Sequence, residues 1–244
     1  MASVSSVSVT ISHPSSASDV QEAAYLSRAR TLHWIRMGLA ITILGAATGV
    51  VGSEGESLSY YNVTKSYSRV GLSLWPLNLD IRGTYALLAC GAVILFQAII
   101  YITMAFFPSP YPRTRLLNLL SSAVGLCSLI IAIVGVAFSI YLPSAKYPDG
   151  YTVGETIHSW TCKWDSLNGV NGTNANGKPL TAPSHFSRIC TDSEAGFVLM
   201  GLLVGLEVLM GAAGAAGFLL DLTVSRQRKL SNAEAGEFVM ETKH

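Results

Sequence analysis

"GFVLMGLLVGLEVLMGAAGAAGFLLDL", residues 196–222, contains one acid deep in its interior, Glu207, and is otherwise apolar or small almost throughout. A helix needs about 20 mostly apolar residues to cross a bilayer, and this run has them. Three further stretches meet the same condition: "WIRMGLAITILGAATGVVG" (34–52), "GTYALLACGAVILFQAIIYITMAFF" (83–107) and "LLNLLSSAVGLCSLIIAIVGVAFSIYL" (116–142). The first is the weakest because Arg36 stands near its start. The composition agrees: half of the chain is hydrophobic and 13% is charged, against about 25% charged in a soluble domain. The four runs consume most of the apolar residues, so no soluble core of any size remains. The expected fold is an all-α membrane protein, a four-transmembrane-helix domain over residues 33–222.

The remaining segments arrange themselves around that domain. Residues 1–32 form a Ser-rich polar tail expected to be disordered, because it cannot bury enough to offset its ordering entropy. No apolar core of signal-peptide type occurs in it, so the first helix is expected to act as an uncleaved insertion signal. Residues 53–82 and 143–195 are loops on one side, and 223–244 form a second tail. Arg28, Arg30, Arg36, Arg113, Arg115, Arg226, Arg228 and Lys229 cluster at the opposite set of helix ends. The positive-inside rule makes that side, and both termini, cytoplasmic. The compartment is then the plasma membrane or the secretory pathway.

The two loops carry matching signals. Both N-x-S/T acceptors, at Asn62 and Asn171, fall in them, which makes these residues glycosylation candidates. Cys162 and Cys190 are the only cysteines outside the apolar runs, and in an oxidising compartment they are expected to form a disulfide. His158 and His185 beside them supply the ligand types of a tetrahedral zinc site. Their spacing is not that of a finger, and the disulfide is the favoured reading, so neither metal nor cofactor is expected. The segment from His158 to Thr173 looks like a polar, turn-rich loop whose Trp160 and Trp164 cover the bridge or dock at headgroup level. In the first loop, Val70, Leu72, Leu74, Leu77, Leu79 and Ile81 alternate with small or polar residues. Period two suits a short β-hairpin, with an irregular loop as the other reading.

Helices in lipid gain little from hydrophobicity against each other, so small residues that permit close approach mark their contacts. Gly45 and Gly49 supply such a face in the first run, and Gly201, Gly205, Gly211 and Gly214 in the fourth. These glycines serve packing within the chain or an oligomer interface. Glu207 lies on the stripe of Gly211 and Gly214, and Gln97 at comparable depth is placed to accept a hydrogen bond from it. An acid there costs several kcal/mol unless neutralised or paired. It acts as interhelical glue or handles a proton or cation.

Catalysis has no support: G-x-S-x-G, H-E-x-x-H and G-x-x-x-x-G-K-[ST] are all missing. A net charge of +1 argues against nucleic acid as a partner. The partners expected are the lipid bilayer and either a second copy of the chain or other membrane proteins.

"GLSLWPLNLDIRGTYALLACGAV", "FPSPYPRTRLLNLL", "SWTCKW" and "SRICTDSEAGF" resemble a group of four-span membrane proteins of filamentous fungi. The resemblance covers residues 33–222 and implies the four-span topology and a paired-cysteine outer loop, with no activity. The general layout is also similar to claudin and MARVEL tetraspans. The claudin pattern places two cysteines in the first outer loop, whereas this chain places its pair in the second. The function expected is a non-enzymatic tetraspan acting by lateral association or membrane organisation. The alternative is a small transporter, channel subunit or proton-linked component centred on Glu207.

Overall fold

A computed structural model describes residues 16–65, 74–76, 79–107, 114–141, 155–166, 183 and 185–241. Four long helices carry the fold: α1 (Ser16–Thr64), α2 (Arg82–Phe106), α3 (Thr114–Tyr141) and α5 (Phe186–Glu241). Each contains a segment long and apolar enough to cross a membrane. Between α3 and α5 lies the short α4 (Ile157–Ser166). Two two-residue strands, β1 (Leu79–Asp80) and β2 (Glu155–Thr156), pair in parallel.

α1 packs against α2 and α5, and α3 closes the ring by packing on α2 and α5. Inward positions recur at alternating steps of three and four residues. On α5 they are Phe186, Ile189, Ser193, Gly196, Met200, Leu203, Glu207, Met210, Gly214 and Gly217. On α1 the series runs Ala40, Ile43, Ala47, Val50, Glu54, Ser57. This 3.5-residue period is the one left-handed helix packing produces. The outer surface is apolar as well: Phe96, Leu126, Ile130, Val198 and Leu209 are exposed. Contiguous exposed apolar surface on this scale suits lipid and not water. The four apolar helices thus suggest a multi-pass membrane protein.

Several boundaries differ from the sequence expectation. α1 begins at Ser16, inside the tail expected to be disordered, and ends at Thr64 rather than near residue 52. α5 starts ten residues before Gly196 and continues to Glu241, through most of the second tail. A helix satisfies its own backbone, so it extends past the apolar run wherever side chains find partners beyond it.

The second loop also holds a helix where turns were expected. Thr156 and Ser159 cap α4 reciprocally: the Ser159 amide donates to Thr156 Oγ1 at 3.1 Å, and the Thr156 amide to Ser159 Oγ at 2.8 Å. This is capping-box geometry with serine in the usual Glu position. Among the described residues the first-loop strand pairs with the second loop, Leu79 lying opposite Glu155 and Asp80 opposite Thr156. Val70, Leu72 and Leu77 of the expected hairpin lie outside the described residues.

Candidate functional site

One end of the helix ring is closed by a cap built from both loops. Cys162 on α4 is bonded to Cys190 in the first turns of α5. The two thiols are thus consumed, which removes the sulfur ligands of the zinc reading. Trp75, Ile157, Phe186 and Ile189 form a buried cluster, with Tyr60, Tyr61, Trp160 and Trp164 packed against it. Trp160 and Trp164 meet edge to face at 6.1 Å, so they belong to the cap. Two indole bonds fasten the first loop: Trp75 Nε1 donates to Thr64 Oγ1 at 2.8 Å, and Trp160 Nε1 to the Leu74 carbonyl at 3.2 Å. Arg82 clasps Asp80 through Nε and Nη2, and Lys163 pairs with Glu155. Burial works against the charge of Asp80, yet the bonds and charge of Arg82 prevail and hold its carboxyl below the ordinary range. Burial likewise opposes the charge of Glu155, and Lys163 with Ser159 outweighs it in the same direction.

Beneath the cap lies a cavity of about 240 Å³. Its walls mix apolar side chains (Leu87, Ile140, Phe197) with Thr84, Ser139, Ser193, His158 and Glu194. Glu54 enters it from α1, only 1% exposed, and its Oε1 has no hydrogen-bond partner. Gly196 makes room for this carboxyl, since a Cβ there would lie 2.6 Å from Oε1. The arrangement offers one buried acid, bonded to Thr84 but with one carboxyl oxygen unpartnered, in a partly apolar chamber, a chemistry suited to a small cation or to a proton.

Glu207 is equally buried on α5, at 1% exposure. It does not meet Gln97, contrary to expectation: Gln97 Oε1 accepts from the Ser128 hydroxyl, and both Glu207 carboxyl oxygens are without partners. Steps of three and four residues put Glu207 in the inward series of α5. Its backbone carbonyl lies where α5 crosses Gly125 of α3.

The six packing glycines separate into two classes. A Cβ on Gly49 would lie 2.7 Å from Leu199 Cδ1, and one on Gly214 would lie 2.9 Å from the Ser122 amide nitrogen. These two sit at helix crossings. Gly211 contributes its backbone to the Gly125 crossing, although its own Cβ direction is open. Gly45, Gly201 and Gly205 are exposed, and a Cβ on each would meet nothing within 4 Å among the described residues. Among the glycosylation candidates, Asn62 is exposed in the last turn of α1 and accepts from Lys65 at 2.7 Å. Thr64 of the same acceptor triplet is buried and donates to the Tyr60 carbonyl at 2.7 Å. Asn171 lies outside the described residues.

Sequence reasoning missed Arg36 and Glu54 as interior groups. Glu54 follows the nominal apolar run by two residues, yet it stands seven after Ala47 and four after Val50, in register with the inward series. That period was the available signal. No family model, no curated protein and no solved structure matches the chain.

Proposed function

We propose that this is a non-enzymatic four-span protein of the plasma membrane or secretory pathway that acts by lateral association, with itself or with other membrane proteins. Both termini are cytoplasmic in this proposal, and the capped end, with its glycosylation acceptors, faces outward. Kinship with the fungal four-span group belongs to the same reading. The supporting observation is the set of glycines that the fold does not use. Glycine inside a helix costs about 0.5–1 kcal/mol relative to alanine. At Gly49, Gly91, Gly125, Gly196, Gly214 and Gly217 a Cβ would lie under 3.0 Å from a neighbour, so close packing offsets that cost. At Gly38, Gly45, Gly52, Gly201 and Gly205 nothing lies within 4 Å. The first three stand seven residues apart on α1 and the last two four apart on α5, so each set lies along one face. A second helix laid against either face would offset the cost.

Native mass measurement and cross-linking in mild detergent test this. The native chain should form an oligomer or a complex. Gly45→Leu combined with Gly201→Leu should release monomer while leaving thermal stability in place. A native chain that is monomeric and captures no membrane partner rejects the proposal.

One observation favours a second reading, a proton- or cation-linked component. Glu54 and Glu207 are both buried with unpartnered oxygens, and Glu54 opens to a cavity. Intramembrane acids of this kind mark ion pathways by default. Glu54→Gln and Glu207→Gln keep the shape and remove ionisation; a phenotype unchanged in both variants rejects this reading.

A further inference from the structure

Arg36 carries a charge that it cannot relinquish, because a guanidinium stays protonated in proteins. An acid such as Glu54 can be neutralised by a proton; Arg36 has no such escape. It is nevertheless only 5% exposed. Nη1 donates to Asn118 Oδ1 at 2.6 Å, and Nε has no hydrogen-bond partner. Tyr101 also bonds it, and the Asn118 amide carries no charge. Among the described residues no carboxylate lies within ion-pair distance of Arg36.

The space beside it is built. A cavity of about 50 Å³ is lined by Ala29, His33, Arg36, Asn118, Gly217 and Leu220, among others. Gly217 keeps room for the guanidinium, since a Cβ there would lie 3.0 Å from Arg36 Cζ and 2.7 Å from Asn118 Oδ1. The volume admits the oxygens of one phosphoryl group and leaves the rest of a ligand outside. Arg36 stands at the end of the first apolar run, the depth at which headgroup phosphates lie. Arg28 and Arg30 on α1 and Arg226 on α5 are exposed near the same end and add a positive field.

We propose that this cavity is a phosphate site, in which the Arg36 guanidinium pairs with a phosphoryl group while Asn118 holds Nη1. The anion arrives as the headgroup of an acidic phospholipid in the adjoining leaflet or as free phosphate. Charge-assisted bonds to a planar guanidinium suit phosphate oxygens, and a buried cation needs the countercharge.

The test uses the full chain in mild detergent, with binding read by thermal shift and native mass. Short-chain phosphatidic acid, short-chain phosphatidylcholine and inorganic phosphate are the probes. Phosphatidic acid should bind, and Arg36→Lys should weaken it about tenfold or more, because lysine lacks the planar, multi-donor guanidinium. Ala29→Phe fills the cavity while keeping the Arg36 guanidinium and should weaken binding similarly, which keeps the test open if Arg36→Lys fails to fold. Arg226→Gln should change affinity only about twofold, as screened surface charges do. Protection by inorganic phosphate identifies the free anion as a source; protection by phosphatidic acid alone identifies the lipid. The proposal is overturned if neither phosphate probe binds, if Ala29→Phe leaves affinity unchanged, or if Arg226→Gln costs as much as Ala29→Phe.

Discussion

Alanine at Gly214 should force α3 and α5 apart. Its Cβ would lie 2.6 Å from Ser122 Oγ, 2.9 Å from Ser122 N and 3.1 Å from Ser122 Cα. Carbon atoms in contact prefer about 3.5–4.0 Å. The hydroxyl can rotate aside, but the backbone atoms cannot, so the helix axes must separate by about 0.5 Å. Overpacking of this kind costs about 1–3 kcal/mol. Removing a helical glycine returns about 0.5–1 kcal/mol, which leaves a net loss of up to about 2.5 kcal/mol. Gly125→Ala meets the same obstacle from the other helix, with Gly211 N at 2.9 Å and Gly211 Cα at 3.1 Å. Gly201→Ala and Gly205→Ala meet nothing within 4 Å and should gain the propensity term of about 0.5–1 kcal/mol alone. Gly211→Ala should behave like this second pair. Thermal unfolding in dilute detergent, followed by tryptophan fluorescence, separates the two groups by the sign of their shift. A stabilised Gly214→Ala, or all five variants moving together, would refute the crossing geometry.

Other expectations concern the cap. Cys162→Ser should remove the constraint across a 28-residue separation, costing about 3–4 kcal/mol in the chain-entropy model; reductant should lower the melting temperature of the native chain and leave the variant unmoved. Thr64→Ala should cost about 1–3 kcal/mol by orphaning the buried Trp75 indole. Thr64→Ser restores the hydroxyl, and Asn62→Gln removes the glycan acceptor without this loss, so melting temperatures distinguish fold from glycan. The carboxyls of Asp80 and Glu155 are held below their ordinary value. Their stabilisation is complete above the ordinary carboxylate range near about pH 4 and is lost as pH falls through the depressed folded values. The native chain should therefore lose more melting temperature on acidification than Arg82→Gln combined with Lys163→Gln. Equal acid sensitivity would show that these pairs do not stabilise the cap.

Length and hydropathy alone determine the four spans, because any apolar run of bilayer length is read the same way whatever it packs against. The cysteine pair was equally legible, being the two cysteines outside those runs. Which face of each helix turns inward was not. In a water-soluble helix polarity marks the outside, but here the lipid-facing side is as apolar as the core, so hydrophobic periodicity cancels. What remains is the sparse series of small and polar residues at steps of three and four, which includes Glu54, Ser57, Ser121, Gly125, Ser128 and Glu207. Gly211 and Gly214 shared a stripe with Glu207 in sequence, yet it is Gly214 that sits tightest on α3. Only packing decided that Arg36 lies inside beside Asn118, that Glu54 opens to a cavity, and that the first-loop strand pairs with the second loop. Each of these depends on partners about 30 or more residues distant along the chain, and no local pattern encodes them.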